Sequence, residues 1–539
     1  MPHKKTHEQF LQLLSTETGF VLDHDLVYER RLKPAATELP NTILLLHLAP
    51  QLWQPAAIVA NQLQYRFVGI WAQDLSENLE LNISLELHGS YLLLRTLIDT
   101  SNPNITSFTP YFPAANRLER HTHDMFGINF SDHPDKHRWT RHLAWNEKQY
   151  PLRKNFPVAS TKAGITPPDN NYPFTHVNGS GVYEIPVGPI HAGIIEPGHF
   201  RFQAAGEDVI NLEERLGYVH KGIEKIAEGL SAKQLIKLAG RVSGDSTVAH
   251  AWAACLALEN ATNLKIPERA LHIRAIMCEH ERIANHFGDF AGVCNDVAYT
   301  FGCYQLMRLR ELWLRLNAQV FGHRLIMDCI IPGGVNVDLN SKNCQAIHQQ
   351  IISCKQELAE LYQLFEENSS FHDRIKTTGI LSVEQATQLG VLGYAGRASG
   401  HKFDLRHNAP YSPYNKLKIR VPVFNNGDVL ARLRVRAQEV LVAFELIAQL
   451  LDQLPPGPIQ TPWQNPNTTT ESIGLIEGWR GEILAFVRIN NNGLIERYFP
   501  RDPSWFSWPA LEQLIHGNIV PDFPVCNKSI NGSYSAVDL

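Results

Sequence analysis

The stretch "SGDSTVAHAWAACLALE", Ser243 to Glu259, decides how the fold is read. It opens with small, turn-forming residues and runs into a helical pattern whose apolar positions wrap most of the circumference. A helix with no face left for water belongs in the middle of a bundle. The same period recurs around it, predicting helices over Ser246–Thr262, Pro267–Phe290, Tyr299–His323, Cys344–Glu367 and Asp428–Leu454, with a further one at Glu207–Leu238. Strands joined by Gly/Pro turns are expected before this block, in "VYEIPVGPIHAGIIEPGHFRFQAAG". More are expected after it, in "SIGLIEGWRGEILAFVRI" and in "LIERYFP" beyond the "NNNG" turn.

Residues 1–149 have a different texture. "YRFVGIWAQ" (Tyr65–Gln73) and "LELNISLEL" (Leu79–Leu87) alternate like strands, and "SYLLLRTLIDT" after them is read as helical, giving a small α+β domain. Residues 150–180 include "YPLRKNFPVASTKAGITPPDNNYPF", a Pro-rich extended linker. Residues 181–539 form the mainly helical large domain with β-rich ends, so the fold class is α+β. No internal repeat or low-complexity tract interrupts this division.

Composition narrows the function. The chain has 539 residues, 44% of them hydrophobic and 19% charged, and its 54 acidic against 49 basic residues give a net charge of −5. No basic field for nucleic acid is present. All eight cysteines follow residue 250 without a CxxC pair, which fits neither a disulfide scaffold nor a zinc ribbon and predicts a reduced setting. No apolar run reaches the length of a membrane span, and no secretory h-region follows "MPHKKTHEQFLQLL", so membrane association is expected through partners. "HERIANH" lacks the i, i+4 histidines of a zinc helix, and "GSGVYE" lacks the third glycine of a dinucleotide loop, so NAD binding is not expected in this chain.

Two segments carry a family resemblance. "ERHTHDMFGINFSDHPDKHRW" (Glu119–Trp139) resembles the signature of the smaller, 30-kDa-type catalytic-arm subunit of respiratory complex I, and is read as a docking segment rather than a metal loop. From Gly188 onward, "GPIHAGIIEPGHFRF", "LGYVHKGIEK", "EHERIANHFGD", "RASG" with Asp404 and Arg406, "EGWRGE" and "CNKSINGSYSAVDL" are similar, in that order, to the large subunit shared by complex I (49-kDa type) and the energy-converting NiFe hydrogenases. Fusion of both modules particularly resembles the formate hydrogenlyase-type large subunit. The resemblance implies a NiFe-hydrogenase large-subunit fold after a 30-kDa-type domain.

In those hydrogenases, Arg-x-Cys-Gly-x-Cys and Asp-Pro-Cys-x-x-Cys hold nickel and iron. Here "GRVSGDST" and "RDPSWFS" keep Arg241, Gly244, Asp502 and Pro503, but Ser243, Ser246, Ser504 and Ser507 occupy the four cysteine-ligand positions. A NiFe site needs soft, anionic thiolates, and a serine hydroxyl is a hard oxygen that stays neutral near pH 7. Cys255, nine residues after Ser246, and Cys526, nineteen after Ser507, are outside the loops. The expectation is a chain without NiFe and with no tightly bound cofactor.

Other roles follow from the resemblance. Complex I uses the corresponding cavity for quinone, making His191, His199, Arg480 and Asp502 candidate cavity residues and Arg241, Ser243 and Ser246 a candidate quinone or anion pocket. Complex I has a tyrosine where this chain has Arg241. Asp245 or Ser246 is a candidate N-cap for the following helix, and Asp502 or Glu196 the expected partner of a buried Arg480. The implied partners are a small iron–sulfur subunit, which holds the cluster, and integral membrane subunits that move ions, on the cytoplasmic side of the inner membrane. Three readings stand: an NADH:quinone-type oxidoreductase subunit hosting an organic acceptor, a noncatalytic coupling scaffold of the same complex, and a working hydrogenase.

Overall fold

The computed structural model describes residues 2–18, 29–32, 43–142, 145–146, 148–158, 172–191, 193 and 195–539. The N-terminal domain is built on a five-stranded sheet in the order Glu29–Leu32, Ile43–His47, Ser90–Asp99, Asn78–Leu87, Arg66–Asp74. Ile43–His47 and Ser90–Asp99 run parallel, and the other pairs are antiparallel. The segment read as helical at Ser90 is therefore a strand. His88 and Gly89 both take positive φ, 51° and 81°, the signature of a two-residue hairpin turn, and Leu87 pairs with Ser90 across it. Leu92, Leu93 and Leu94 are all buried because both faces of this strand are covered, which erases the alternation that would mark it.

The segment expected to dock does so. Its helix, Asn116–Phe126, ends at Gly127 in the left-handed conformation and lies against the Arg66–Asp74 strand. Arg117 binds Glu214 and Glu512, and His121 binds Glu224 at 2.7 Å, all on the large domain. Glu119 and Asp124 turn inward instead: Glu119 accepts from Phe108 N and the Thr109 hydroxyl, and Asp124 from the amides of Trp139, Thr140 and Arg141. Glu482 of the large domain completes the seam, receiving Arg66 and the Tyr91 hydroxyl from the first domain and Arg501 from its own. The start of the Pro-rich linker folds back on the first domain, with Leu152 N donating to Met125 O at 3.1 Å, while its residues 159–171 lie outside the described ones.

The large domain opens with a three-stranded antiparallel sheet, Val182–Val187, His199–Ala205 and Asp208–Arg215, with His199–Ala205 at its centre. This overturns the helix expected at Glu207–Leu238. Gly206, at φ 62°, closes a tight turn that returns the chain as a strand, and helix resumes only at Ile223–Ile226 and at Ala232–Ala239, which Ser231 and Gln234 cap. The other expected helices stand at Thr247–Thr262, Glu268–Asp296, Thr300–Phe321, Ser341–Glu367 and Val429–Asp452. The Glu268–Asp296 helix, which contains "HERIANH", is buried along most of its length. A second antiparallel sheet, Thr470–Gly478, Gly481–Ile489 and Ile495–Arg501, lies across the Thr247–Thr262 helix. Contact there is backbone to backbone: a Cβ on Gly474 would stand 2.1 Å from Ala253 O. Helices Ser504–Leu514, Phe523–Ile530 and Tyr534–Asp538 finish the chain.

Candidate functional site

The two serine motifs meet. Ser243 precedes a 3-10 turn, Gly244–Ser246, that leads into the Thr247–Thr262 helix, while Ser504 and Ser507 occupy the first two turns of the Ser504–Leu514 helix. All four are buried. The C-terminal segment brings a fifth serine between them. Ser533 Oγ lies 2.9 Å from Ser243 Oγ, and Ser533 N donates to Ser504 Oγ at 2.9 Å. The Ser243 hydroxyl donates to Asp245 Oδ1 at 2.6 Å, so the Ser533 hydroxyl is the donor in their contact.

Arg480 closes the other side. It forms a bidentate pair with Asp245, 2.8 and 2.7 Å, reaches Ser246 Oγ at 3.3 Å, and donates through Nε to Asn531 O at 2.7 Å. Its guanidinium stacks 3.9 Å over the Trp479 ring, and the indole N–H donates to Asp245 O. Burial disfavours charge on Asp245, yet Arg480 and the two serine hydroxyls outweigh it and hold the carboxyl at about 2. The arginine's partner is thus Asp245, not Asp502 or Glu196. Asp502 instead accepts from His250 Nε2 at 2.9 Å and from Ser504 N at 2.8 Å. Glu196 accepts from Ser535 N at 3.0 Å.

Neither Asp245 nor Ser246 caps the following helix with its side chain. Asp245 is committed to Arg480, and the Glu281 carboxyl from the neighbouring helix takes the free amides of Val248 and Ala249, at 2.7 and 3.2 Å. The helix start proposed for an anionic ligand is therefore filled by the protein's own carboxyl. Arg241 points away from Ser243 and Ser246 and makes a bidentate pair with Asp328 at the exposed surface, 3.0 and 2.7 Å.

His191 and His199 sit on the Val182–Ala205 hairpin, separated from the serines by the rings of Phe200, Trp508 and Tyr534. His191 Nε2 donates to Gly198 O at 2.8 Å, His199 Nδ1 to Gly188 O at 3.1 Å, and Arg201 Nε donates to His199 Nε2. Burial lowers His199 from the ordinary histidine range and keeps it neutral. The sequence pointed to Asp245 only as a helix cap, not as the partner of Arg480, and gave no sign of His250, Glu281 or Ser533, although all four lie within the motif-bearing stretches 243–259, 279–289 and 526–539.

The donor set does not fit a nickel–iron centre. Four hydroxyls stand where thiolates are needed, each is engaged with a protein group, and a guanidinium lies against one of them. Cys255 and Cys526 are buried elsewhere, Cys526 against Gly379 and Arg432. The arrangement can instead hold three segments together and pass a displacement of one to the others.

Comparison with known proteins places the chain. Residues 46–162 match the family described as respiratory-chain NADH dehydrogenase, 30 Kd subunit, residues 296–472 the 49 Kd subunit of the same enzyme, and residues 221–291 nickel-dependent hydrogenase. Formate hydrogenlyase subunit 5 of Escherichia coli strain K12 is 31% identical over 450 residues, 83% of this chain and 79% of that protein. The C/D protein of NADH-quinone oxidoreductase from Bacteroides fragilis is 31% identical over 436 residues, 78% of this chain and 82% of that one. Among solved structures, a chain of the membrane-bound sulfane sulfur reductase, an archaeal respiratory membrane complex, superposes with a TM-score of 0.63 at 26% identity, covering 68% of this chain and 100% of that chain. With both modules in one polypeptide, the chain belongs to the family that unites complex I 30 Kd and 49 Kd subunits with the large subunits of formate hydrogenlyase-type hydrogenases.

Proposed function

We propose that this chain is the hydrophilic large subunit of a membrane-associated, complex I-like oxidoreductase complex, in which it couples electron transfer to ion movement without a NiFe centre of its own. One observation carries the reading: the two motifs that bracket the metal in hydrogenases are joined here by Ser243–Ser533–Ser504 and by Asp245–Arg480–Ser246. A small iron–sulfur subunit would supply the redox group, and membrane subunits the ion path. This accords with the relatives' names and with the lack, among the described residues, of a helix long and apolar enough to cross a membrane. The complex would face the cytoplasm.

An organic acceptor at the hairpin is the second reading, favoured by the exposed Ile190 and Ile195 on either side of His191. An apolar rim beside an imidazole suits a quinone: the rim takes the tail, and His191 Nδ1, left as an acceptor by the Nε2–H bond to Gly198 O, receives the hydroxyl of the reduced ring. His199, tied at both ring nitrogens, would hold the loop rather than the ligand.

The test is metal analysis of the complex purified from membranes, together with hydrogen-dependent dye reduction and quinone-dependent turnover. Nickel well below one per chain and no hydrogen oxidation are expected. Stoichiometric nickel or hydrogen oxidation would overturn the proposal. Quinone turnover lost in His191→Ala supports the acceptor reading, whereas unchanged turnover with intact ion transport leaves coupling as the sole role.

A further inference from the structure

Next to the serine joint lies a second polar region that the proposed function does not use. Arg282, Arg397 and Arg406 share it with Glu279, Asp404, Glu439 and Glu477, and all seven are 0% or 1% exposed. Charges this deep must balance, because an uncompensated ion in the interior is strongly disfavoured. Three guanidiniums face four carboxyls.

The hydrogen bonds show which carboxyls hold charge. Glu279 receives Arg406, Arg282 and the Tyr414 hydroxyl, at 2.9, 3.1 and 2.6 Å. Glu439 receives Arg397 Nε and His286 Nε2, each at 2.8 Å, with Arg397 Nη2 in ion-pair contact at 2.7 Å. Asp404 takes Arg406 at 3.0 and 2.7 Å, and Arg406 N as well. Glu477 is the least provided for, with Arg397 Nη1 at 3.1 Å and Leu405 N at 3.1 Å. That same Arg397 Nη1 lies 3.4 Å from Asp404, so one guanidinium nitrogen is divided between two carboxyls.

Among the described residues, no other group nearby supplies the missing positive charge. Burial keeps His286 below the usual histidine range, and it keeps Tyr411, Tyr414 and the Cys278 thiol neutral by raising them well above theirs. We infer that Asp404 and Glu477 hold one proton between them at neutral pH, as a buried proton-binding site in the core of the large domain. Burial, and next the charge of Asp404, push Glu477 up to about 7. For Asp404, burial works in the same direction, but Arg406 and Arg397 overcome it and hold this carboxyl below the usual range. The proton therefore resides mainly on Glu477.

The site is mechanically tied to the serine joint. Glu477 stands three residues before Arg480, at the end of a hairpin in which Gly478 pairs with Gly481. Arg282 grips the hairpin by donating to Glu477 O at 2.8 Å and Gly478 O at 3.0 Å. Displacing Arg480 from Asp245 would shift the backbone that sets Glu477 against Arg397 and Leu405 N, and so change how tightly the proton is held. This last link rests on the coupling role proposed above, and the existence of the proton does not.

Infrared difference spectroscopy of the purified full-length chain at neutral pH tests it. Glu477→Gln should remove one carboxylic-acid carbonyl band. Asp404→Asn should remove the same band, because three guanidiniums then face three carboxyls and Glu477 ionises. A wild-type spectrum unchanged by Glu477→Gln, or a band that survives Asp404→Asn, overturns the inference. Should Asp404→Asn not fold, the urea midpoint of Glu477→Gln decides: equal to wild type near about pH 4.5 and increasingly above it as pH rises through about 7 supports the shared proton, and below it at both pH values overturns it. An unchanged band in Arg480→Ala overturns the link to the joint alone, and nickel in the complex would overturn the coupling role while leaving the proton pair intact.

Discussion

The serine joint and the arginine–carboxylate network stand at the two ends of one hairpin tip, and they are built on opposite principles. At the joint, neutral hydroxyls hold three chain segments with one ion pair, Arg480–Asp245, whose carboxylate side chain is 36% exposed. In the network almost every contact is charged and none reaches water. The contrast locates where the family's architecture can change. The four serines of the joint tolerate change because each hydroxyl has a local partner and no charge would be stranded. The arginines of the network allow no such exchange, since removing any one of them leaves buried carboxylates short of a partner.

Truncation should expose this contrast most strongly in the network. Arg406→Ala leaves Asp404 with only the 3.4 Å ion pair to Arg397, takes one of the two guanidiniums from Glu279, and is expected to cost about 3–5 kcal/mol, read as a fall in the urea midpoint or as loss of soluble chain. At the joint, Arg480→Ala should cost less, about 2 kcal/mol, because water already reaches Asp245 and screens it. If the two losses are equal, the joint is as tightly sealed as the network and the contrast fails.

A pH series probes the boundary between the two regions, where Glu281 caps the Thr247–Thr262 helix. Burial raises this carboxyl from 4.5 to about 8, so the folded chain holds a proton that the unfolded chain releases. Its contribution to stability is complete below about 4.5 and is lost as pH rises through about 8. The urea midpoint of wild type should fall toward alkaline pH, while Glu281→Gln flattens the dependence of stability on pH by on the order of 1 kcal/mol per pH unit. An equal slope in both would remove Glu281 from the account. The smallest effects belong to the serines: Ser243→Ala, which takes a hydrogen bond from both Asp245 and Ser533, about 1 kcal/mol, and Ser507→Ala, whose hydroxyl only touches Pro503 O, within about 0.5 kcal/mol. Thermal unfolding of the two side by side distinguishes them.

The helical body was legible because its pattern is long and periodic. The Thr247–Thr262 and Val429–Asp452 helices stand within one or two residues of their expected bounds. Ser90–Asp99 was not, because a strand covered on both faces shows a leucine run with no alternation, and the decisive cue was the short His88–Gly89 turn. Asp208–Arg215 misled through its acidic, amphipathic look, which Gly206 overrules by turning the chain back on its neighbour. For the site, spacing alone brought the two serine motifs to one place. Which acid Arg480 would find was beyond the sequence: Asp245, Asp502 and Glu196 are chemically alike, and only the path of the Gly478–Gly481 turn selects among them. Ser533 was hidden for the same reason, since its role depends on where the C-terminal segment threads.

Glu482 clasps the two domains to each other. It binds Arg66 and Tyr91 of one and Arg501 of the other, Arg117 and His121 add pairs along the same seam, and Arg497 Nε donates across it to Ala72 O. The two halves are therefore held by complementary surfaces rather than by the peptide that joins them. Divided within the connector and co-expressed as two polypeptides, they should reassemble into the same body, so fusion secures equal numbers of the halves and leaves their geometry unchanged.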